Sequence, residues 1–262
     1  MDFRDRLFGY SDLLECLELL RRRTDTRLIA ELIALIGQYV LEVDVKAALR
    51  YLRWKGRIKR QGGSGPPAFD LVGTRGTDAT IAEKVRKSAV DWDGTWTVLT
   101  YDVPENRSAA RRQLRRLLRR MGFAMLSKSS WVSPYDWRAA LQDAVLEWDS
   151  GGTFSYIRSA DVSALGDRME LVADELWGLD GARDEYGRIV RVARNAPKDN
   201  TQRSQAARAR ALMIATKAWQ WVQEHDPMLP RELLPRAWPR EQADRLLGEL
   251  AGRVARDAQK LL

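Results

Sequence analysis

Within EHDPMLPRELLPRAWPREQA (224–243), Pro227, Pro230, Pro235 and Pro239 recur among Leu229, Leu233, Leu234 and Trp238. Proline removes a backbone donor and clashes with the preceding turn, so no long helix or central strand can run through this stretch. A solvated linker is excluded too, because it would have nothing against which to bury leucine and tryptophan. The stretch must fold as a packed corner. Pro230 suits the first turn of a short helix ending near Pro235, and Pro239 suits the first turn of the long final helix. Leu229, Leu233 and Trp238 are then expected to fill the angle at which two helices meet.

Upstream, the apolar period changes twice. From Ser11 to Arg60 three stripes recur at helical spacing: Leu13, Leu14, Leu17 and Leu20; then Leu28, Ile29, Leu32, Ile33 and Ile36; then Val45, Ala48, Leu49 and Leu52. After Gly56, IKR and AFDL read as two short strands around QGGSGPP, a loop that no strand tolerates. Helix, helix, turn, helix and hairpin predict a winged helix-turn-helix over residues 1–76. Residues 77–91 (TDATIAEKVRKSAVD) read as a connecting helix.

From residue 92 the texture alternates. WTVLTYDV is strand-like, SAARRQLRRLLRRM helical, FAMLSKSSWV one or two strands, WRAALQDAVLEW helical and GTFSYIRS a last strand. That order predicts a ferredoxin-like domain over 92–165. Residues 166–262 turn helical again, with NAPKDN (195–200) as a polar break, one helix over 211–224 and another over 241–261. The latter carries Leu246, Leu247, Leu250, Val254 and Leu261 on one face. The fold class expected is therefore α+β, with a helical C-terminal domain.

Ten tryptophans and 45% hydrophobic residues are ample for several cores. The 44 basic against 36 acidic side chains, a formal net charge of +8, favour a polyanionic partner, although membranes and acidic proteins also fit. Cys16 and His225 are the only residues of their types, which excludes a disulfide framework or a Cys/His zinc site within one chain. The reading is of a cytoplasmic protein with no cofactor. MDFRDRLF lacks an apolar signal core, and LIAELIALIGQYVL is broken by Glu31, so no export signal or membrane anchor is expected.

The run VDVKAALRYLRWKGRIKR carries the most informative charge. Lys46, Arg50 and Arg53 are spaced four and three apart and share a helix face, and no acid interrupts the sequence from Lys46 to Arg60. A helix entering the major groove needs long donors for guanine edges and phosphates, which arginine forks supply. The DNA-contacting set is Lys46, Arg50, Tyr51, Arg53 and Lys55 on the helix and turn, then Arg57, Lys59 and Arg60 toward the wing. The competing reading is a solvated face of a protein-interaction bundle.

Arg107, Arg111, Arg112, Arg115, Arg116, Arg119 and Arg120 surround a core stripe of Leu114, Leu117, Leu118 and Met121, and no Asp or Glu occurs from Asn106 to Tyr135. These arginines can hold phosphates or pair with acids of another domain. Asp102 ends the first ferredoxin-like strand without further carboxylates at a recognisable metal-binding spacing, which favours a strand-end turn residue. His225 beside Asp226 reads as a turn residue, and the chain has no nucleophile elbow, P-loop or dinucleotide fingerprint. No enzyme activity is expected.

WDGTWTVLTYDVPENRSAARRQLRRLLRRMGFAMLSKSSWVSP (92–134) and DPMLPRELLPRAWP (226–239) together resemble the PaaX family of repressors. The order of parts in that family matches the order read above. The resemblance implies a homodimeric transcriptional repressor on a double-stranded DNA operator, released by an aryl-acyl-CoA effector such as phenylacetyl-CoA. VKAALRYLRWKGRIKR looks like the family's recognition helix and turn. Arg50 and Tyr51 stand where a Ser-Arg pair is more typical, and LVGTRG replaces the usual wing ending, so the family's operator is not carried over. The middle segment also resembles the small ferredoxin-like subunit of CRISPR adaptation, whose first strand ends in a similar Tyr-Asp. That likeness implies an alternative, a metal-dependent nuclease or nucleic-acid-processing dimer with Asp102 as ligand.

Overall fold

A computed structural model describes residues 16, 45–56, 58–60, 69–71, 92–138, 141, 152–160 and 169–260. The chain divides into two compact units: residues 1–74 with 183–222 and 239–262, and residues 75–182 with 223–238. The two helices expected before residue 45, apart from Cys16, and the connecting helix over 77–91 lie outside the described residues. So does most of WRAALQDAVLEW.

In the first unit, α1 (Val45–Trp54) leads into a two-stranded antiparallel pair, β1 (Ile58–Arg60) and β2 (Phe69–Leu71), with Lys59 opposite Asp70. Gly56 ends the helix at φ +66°, and its amide donates to the Arg53 carbonyl at 2.9 Å. No atom lies near a Cβ built there, so the left-handed backbone, and not space, is what requires glycine. The expected helix-and-hairpin order is present across these residues.

The second unit is built on a sheet whose sequence alternates as a half-buried strand should. Its elements are β3 (Trp96–Asp102), a 3-10 turn (Glu105–Arg107), α2 (Ser108–Arg120), β4 (Ala124–Met125), β5 (Ser130–Ser133) and β6 (Thr153–Ser159). The four strands lie in the order β4-β5-β3-β6, all antiparallel. Numbered within this segment, that is second, third, first, fourth, the arrangement expected of the ferredoxin-like order of elements. The register puts Leu99 between Trp131 and Tyr156, and Val98 between Val132 and Ile157. One sheet face therefore carries Leu99, Tyr101 and Trp131 against Leu114 and Leu118 of α2 and Met121 at its C-cap, while the other carries Trp96, Val98 and Val132.

That second face is closed by α3 (Met169–Trp177) and by the proline corner. Leu229, Leu233 and Leu234 are buried in one cluster with Trp96, Val132, Ala173 and Leu179, and Trp238 packs against it. The corner folds as a 3-10 turn (Arg231–Leu233) after Pro230, and the final helix follows Pro239. The expectation of a packed corner holds, but its side chains cover a sheet instead of filling an angle between two helices. A sheet face offers a broad apolar floor that short proline-broken segments can tile without continuing any ladder. Gly122, at φ +79°, ends α2 directly beneath the corner, and Trp177 Nε1 donates to its carbonyl at 2.9 Å. The Tyr135 hydroxyl donates to the Met228 carbonyl from the other side.

Three long helices follow: α4 (Asp180–Asn195), α5 (Gln202–His225) and α6 (Arg240–Gln259). The expected polar break at 195–200 is present. However, α5 starts at Gln202, not at residue 211, because Thr201 caps it: Ser204 N–H donates to Thr201 Oγ1 at 3.2 Å. Asp199 in turn accepts from the Thr201 amide and hydroxyl at 3.0 and 2.7 Å, and the Ser204 hydroxyl first, then these Thr201 groups, hold its carboxyl well below the usual range. Alanines at 209, 211, 215 and 218 are buried beside Leu212, Met213 and Val222 over a wide arc, as befits a helix packed on more than one side. On α6, Ala243, Leu247, Leu250, Val254 and Ala258 form the buried stripe, whereas Leu246 is only half-buried. No described helix is long and apolar enough to cross a membrane.

Candidate nucleic-acid interface

Leu52 is the anchor of the C-terminal half of α1, 1% exposed, and every other described side chain from Arg50 to Lys55 is exposed. At 100° per residue, Arg50 and Trp54 stand on the side of the helix opposite Leu52, with Tyr51 and Arg53 on its flanks. Lys46 lies one turn before Arg50 on the same helix. Arg50, Arg53, Lys55 and, beyond the turn, Lys59 of β1 are all exposed. The face opposite the anchor is thus cationic with an aromatic insert, and no carboxylate occurs within it in the sequence. Arg60 ends β1, and Arg57 lies outside the described residues.

Trp54 is absent from the set expected from the sequence. It is 76% exposed, its ring centroid is 6.1 Å from that of Tyr51, and Lys55 Nζ sits 4.7 Å from its ring. The signal was available, since Trp54 follows Arg50 by one helical turn, but tryptophan in an amphipathic helix ordinarily belongs to the core.

A second cationic surface lies on α2. Arg112, Arg116 and Arg119 are exposed and share one face by their spacing. Two neighbours have found partners without any acid: Arg111 donates to the Glu105 carbonyl at 3.0 Å, and Arg115 donates to the Tyr101 hydroxyl at 3.2 Å and the Lys128 carbonyl at 3.1 Å. The lack of acids in this segment therefore does not leave every arginine unpaired, because carbonyls of the 3-10 turn and of the β4-β5 loop and the Tyr101 hydroxyl accept from them.

Asp102 is exposed at the end of β3, and the described residues contain no group of three or more His, Cys, Asp or Glu side chains that could hold a metal ion. His225 closes α5 and Asp226 accepts from the Met228 amide at 2.7 Å, a turn role for the pair. Two other carboxylates of the sheet unit are held by hydrogen bonds. Tyr156 donates to Asp136 at 2.5 Å and contacts Thr97 Oγ1 at 3.1 Å. That hydrogen bond holds the Asp136 carboxyl below its ordinary range, while burial first and the same hydrogen bond second push the Tyr156 phenol up. Asp93 is held down chiefly by the Thr95 hydroxyl, with Arg158 ion-paired to it.

Comparison with known proteins bears on both units. The description "PaaX protein central Cas2-like domain" matches residues 89–172, and "PaaX-like protein C-terminal domain" matches residues 177–262. A solved structure, the uncharacterized protein Rv0674 from Mycobacterium tuberculosis, is similar over 97% of this chain and 99% of its own, with a TM-score of 0.64 and 20% identity. At that identity the likeness is one of fold. The search of curated proteins finds no match. With the central and C-terminal segments both matched, and in that order along the sequence, this chain belongs to the PaaX family.

Proposed function

We propose that the protein is a DNA-binding transcriptional regulator of the PaaX type, acting as a homodimeric repressor. Family membership supports the regulator, and it argues against an enzyme. The observation that carries DNA recognition is the exposed cationic side of α1 opposite Leu52, followed directly by the β1-β2 hairpin. In this reading residues 1–76 form a winged helix-turn-helix: α1 enters the major groove, Arg50 and Arg53 read base edges, and Lys59 with Arg60 grips the backbone from the wing. Lys46, Tyr51, Lys55 and Arg57 complete the contact. The ferredoxin-like segment pairs two copies and spaces their helices by about one turn of duplex, roughly 34 Å.

The test is binding of the full chain to duplexes enriched from a random pool, by anisotropy across a salt series. Arg50→Ala should weaken the enriched duplex by about 5- to 150-fold, equivalent to the ~1–3 kcal/mol of a bidentate base contact, and random duplex far less. Lys59→Ala should weaken both alike and flatten the log–log salt slope by about 1. Failure to enrich any sequence removes the reading. A small anionic effector such as an aryl-acyl-CoA would release the operator by binding the DNA-free conformation more tightly, with coupling of about 1–3 kcal/mol. A panel of acyl-CoA thioesters that leaves the operator complex unchanged rejects that part.

The Cas2-like character of the matched central segment and the exposed Asp102 favour one second reading, a metal-dependent nuclease. Cleavage of labelled nucleic acid with Mg²⁺ or Mn²⁺ that disappears in Asp102→Ala would replace the regulator with that activity.

A further inference from the structure

Among the described residues Trp54 is the large apolar side chain most exposed to water, ahead of Ile157 at 52% and Met125 at 44%. An indole can bury about 150–250 Å², so leaving it in solvent on a helix whose anchor, Leu52, is fully buried calls for a partner surface. Its surroundings say which kind. Arg50 lies one turn before it on the same side, Arg53 and Lys55 flank it, and Lys55 Nζ stands 4.7 Å from its ring. A patch so cationic repels a basic copy of itself and suits a polyanion.

Of the features a duplex offers to a helix in its major groove, only one is apolar, the C5-methyl of thymine. Arginine forks read guanine acceptors, whereas an indole has no acceptor for a base amine and offers a broad apolar ring that suits the methyl. Four residues of helix advance about 6 Å, close to two base steps at roughly 3.4 Å each. We propose that Trp54 is a specificity-determining residue that packs its indole on the methyl of a thymine about two base steps from the base pair contacted by Arg50, while Lys55 turns toward a phosphate. This rests on the DNA-binding reading above and adds to it a sequence preference assigned to one side chain.

The experiment uses the full chain and the enriched duplex, with each thymine replaced in turn by uracil, which deletes the methyl and nothing else. For the unaltered protein one position per half-site should lose about fourfold in affinity, the value of one buried methyl-sized group. Trp54→Ala should bind the thymine and uracil duplexes equally, Trp54→Leu should keep part of the discrimination, and Arg50→Ala should keep all of it while binding more weakly. Because the indole is exposed, these variants are expected to fold, which circular dichroism checks. Discrimination that survives Trp54→Ala, or no sensitive thymine in the unaltered protein, overturns the assignment while leaving DNA binding intact. A Trp54→Ala protein that loses self-association with an unchanged thymine-to-uracil ratio gives the indole to a second copy instead. If no duplex is enriched at all, the underlying reading and this one fall together.

Discussion

Arg208 and Asp257, 49 residues apart in sequence, form a bidentate ion pair at 2.7 and 2.8 Å with side chains only 2% and 4% exposed. The guanidinium also donates from Nη1 to the Pro197 and Asp199 carbonyls at 3.2 and 2.6 Å, so the charge is paired and four of its five N–H donors are engaged. It ties α5 to α6 and to the polar break before α5. Removing one partner should be far worse than removing both. Asp257→Leu alone is expected to cost about 3–5 kcal/mol by urea unfolding, because a buried cation is left unpaired, whereas Arg208→Met with Asp257→Leu should recover most of that. Equal losses for the single and double variants would show that the pair is not the unit of stability.

Gly122 sits at φ +79°, and a Cβ there would stand 3.0 Å from the Pro227 carbonyl oxygen. Gly122→Ala therefore meets two costs at once, backbone strain and a clash with the corner. A loss of about 1–3 kcal/mol is expected from the shift of the urea midpoint. Gly56→Ala, strained but unobstructed, should lose less.

Ala237 is exposed and holds φ +62° in the corner, a conformation that costs a non-glycine residue about 1–2 kcal/mol. Glycine relieves that strain and gives back part of the gain through a more disordered unfolded chain. Ala237→Gly should raise the thermal midpoint, by a net stabilisation of up to about 1 kcal/mol.

The Tyr156 to Asp136 hydrogen bond joins a neutral phenol to an ionised carboxylate. Asp136 is held down, helped by the charges of Arg158 and Arg138, so its contribution is present above an ordinary aspartate pKa of about 3.9 and is lost as pH falls through the lower folded value. Tyr156 is pushed up, so its contribution is present below about 10 and is lost as pH rises through the higher folded value. Tyr156→Phe should remove part of the acid-side fall in thermal midpoint. In the unaltered protein, tyrosinate absorbance should show one phenol titrating late.

Cys16 is completely buried, and that burial pushes its thiol up to about 12. A group raised in the folded state favours folding below its ordinary value and ceases to do so as pH climbs through the folded one. Native protein should therefore resist a thiol reagent at pH 8 and react fully once unfolded. Rapid labelling of the native chain would contradict the burial.

Much of the architecture was legible because it is local. The stripe of Leu114, Leu118 and Met121 dictates which side of α2 is buried, the alternation in WTVLTYD dictates a strand with two unlike faces, and glycine after Lys55 dictates where α1 stops. These follow from residue spacing and backbone sterics within one or two turns. The Thr201 cap is equally local, but the alanine-rich start of α5 lacks the conspicuous apolar stripe that would mark a helix there. The cationic run in α1 was visible in the same way, as was the proline corner's need to be packed.

What the chain's order of residues determined by itself, then, is the elements, their ends, and which segments must be buried. The tertiary structure decided what buries them. Leu229 and Leu233 found a sheet face contributed by residues more than 90 positions earlier, Arg208 found Asp257, and Trp54 met Tyr51 and Lys55 of its own segment while its indole stayed largely in water beside the arginines. Burial is a sum over partners brought together from distant parts of the chain, so no local period reports it, and a tryptophan one turn from Arg50 looks like core until the helix is docked.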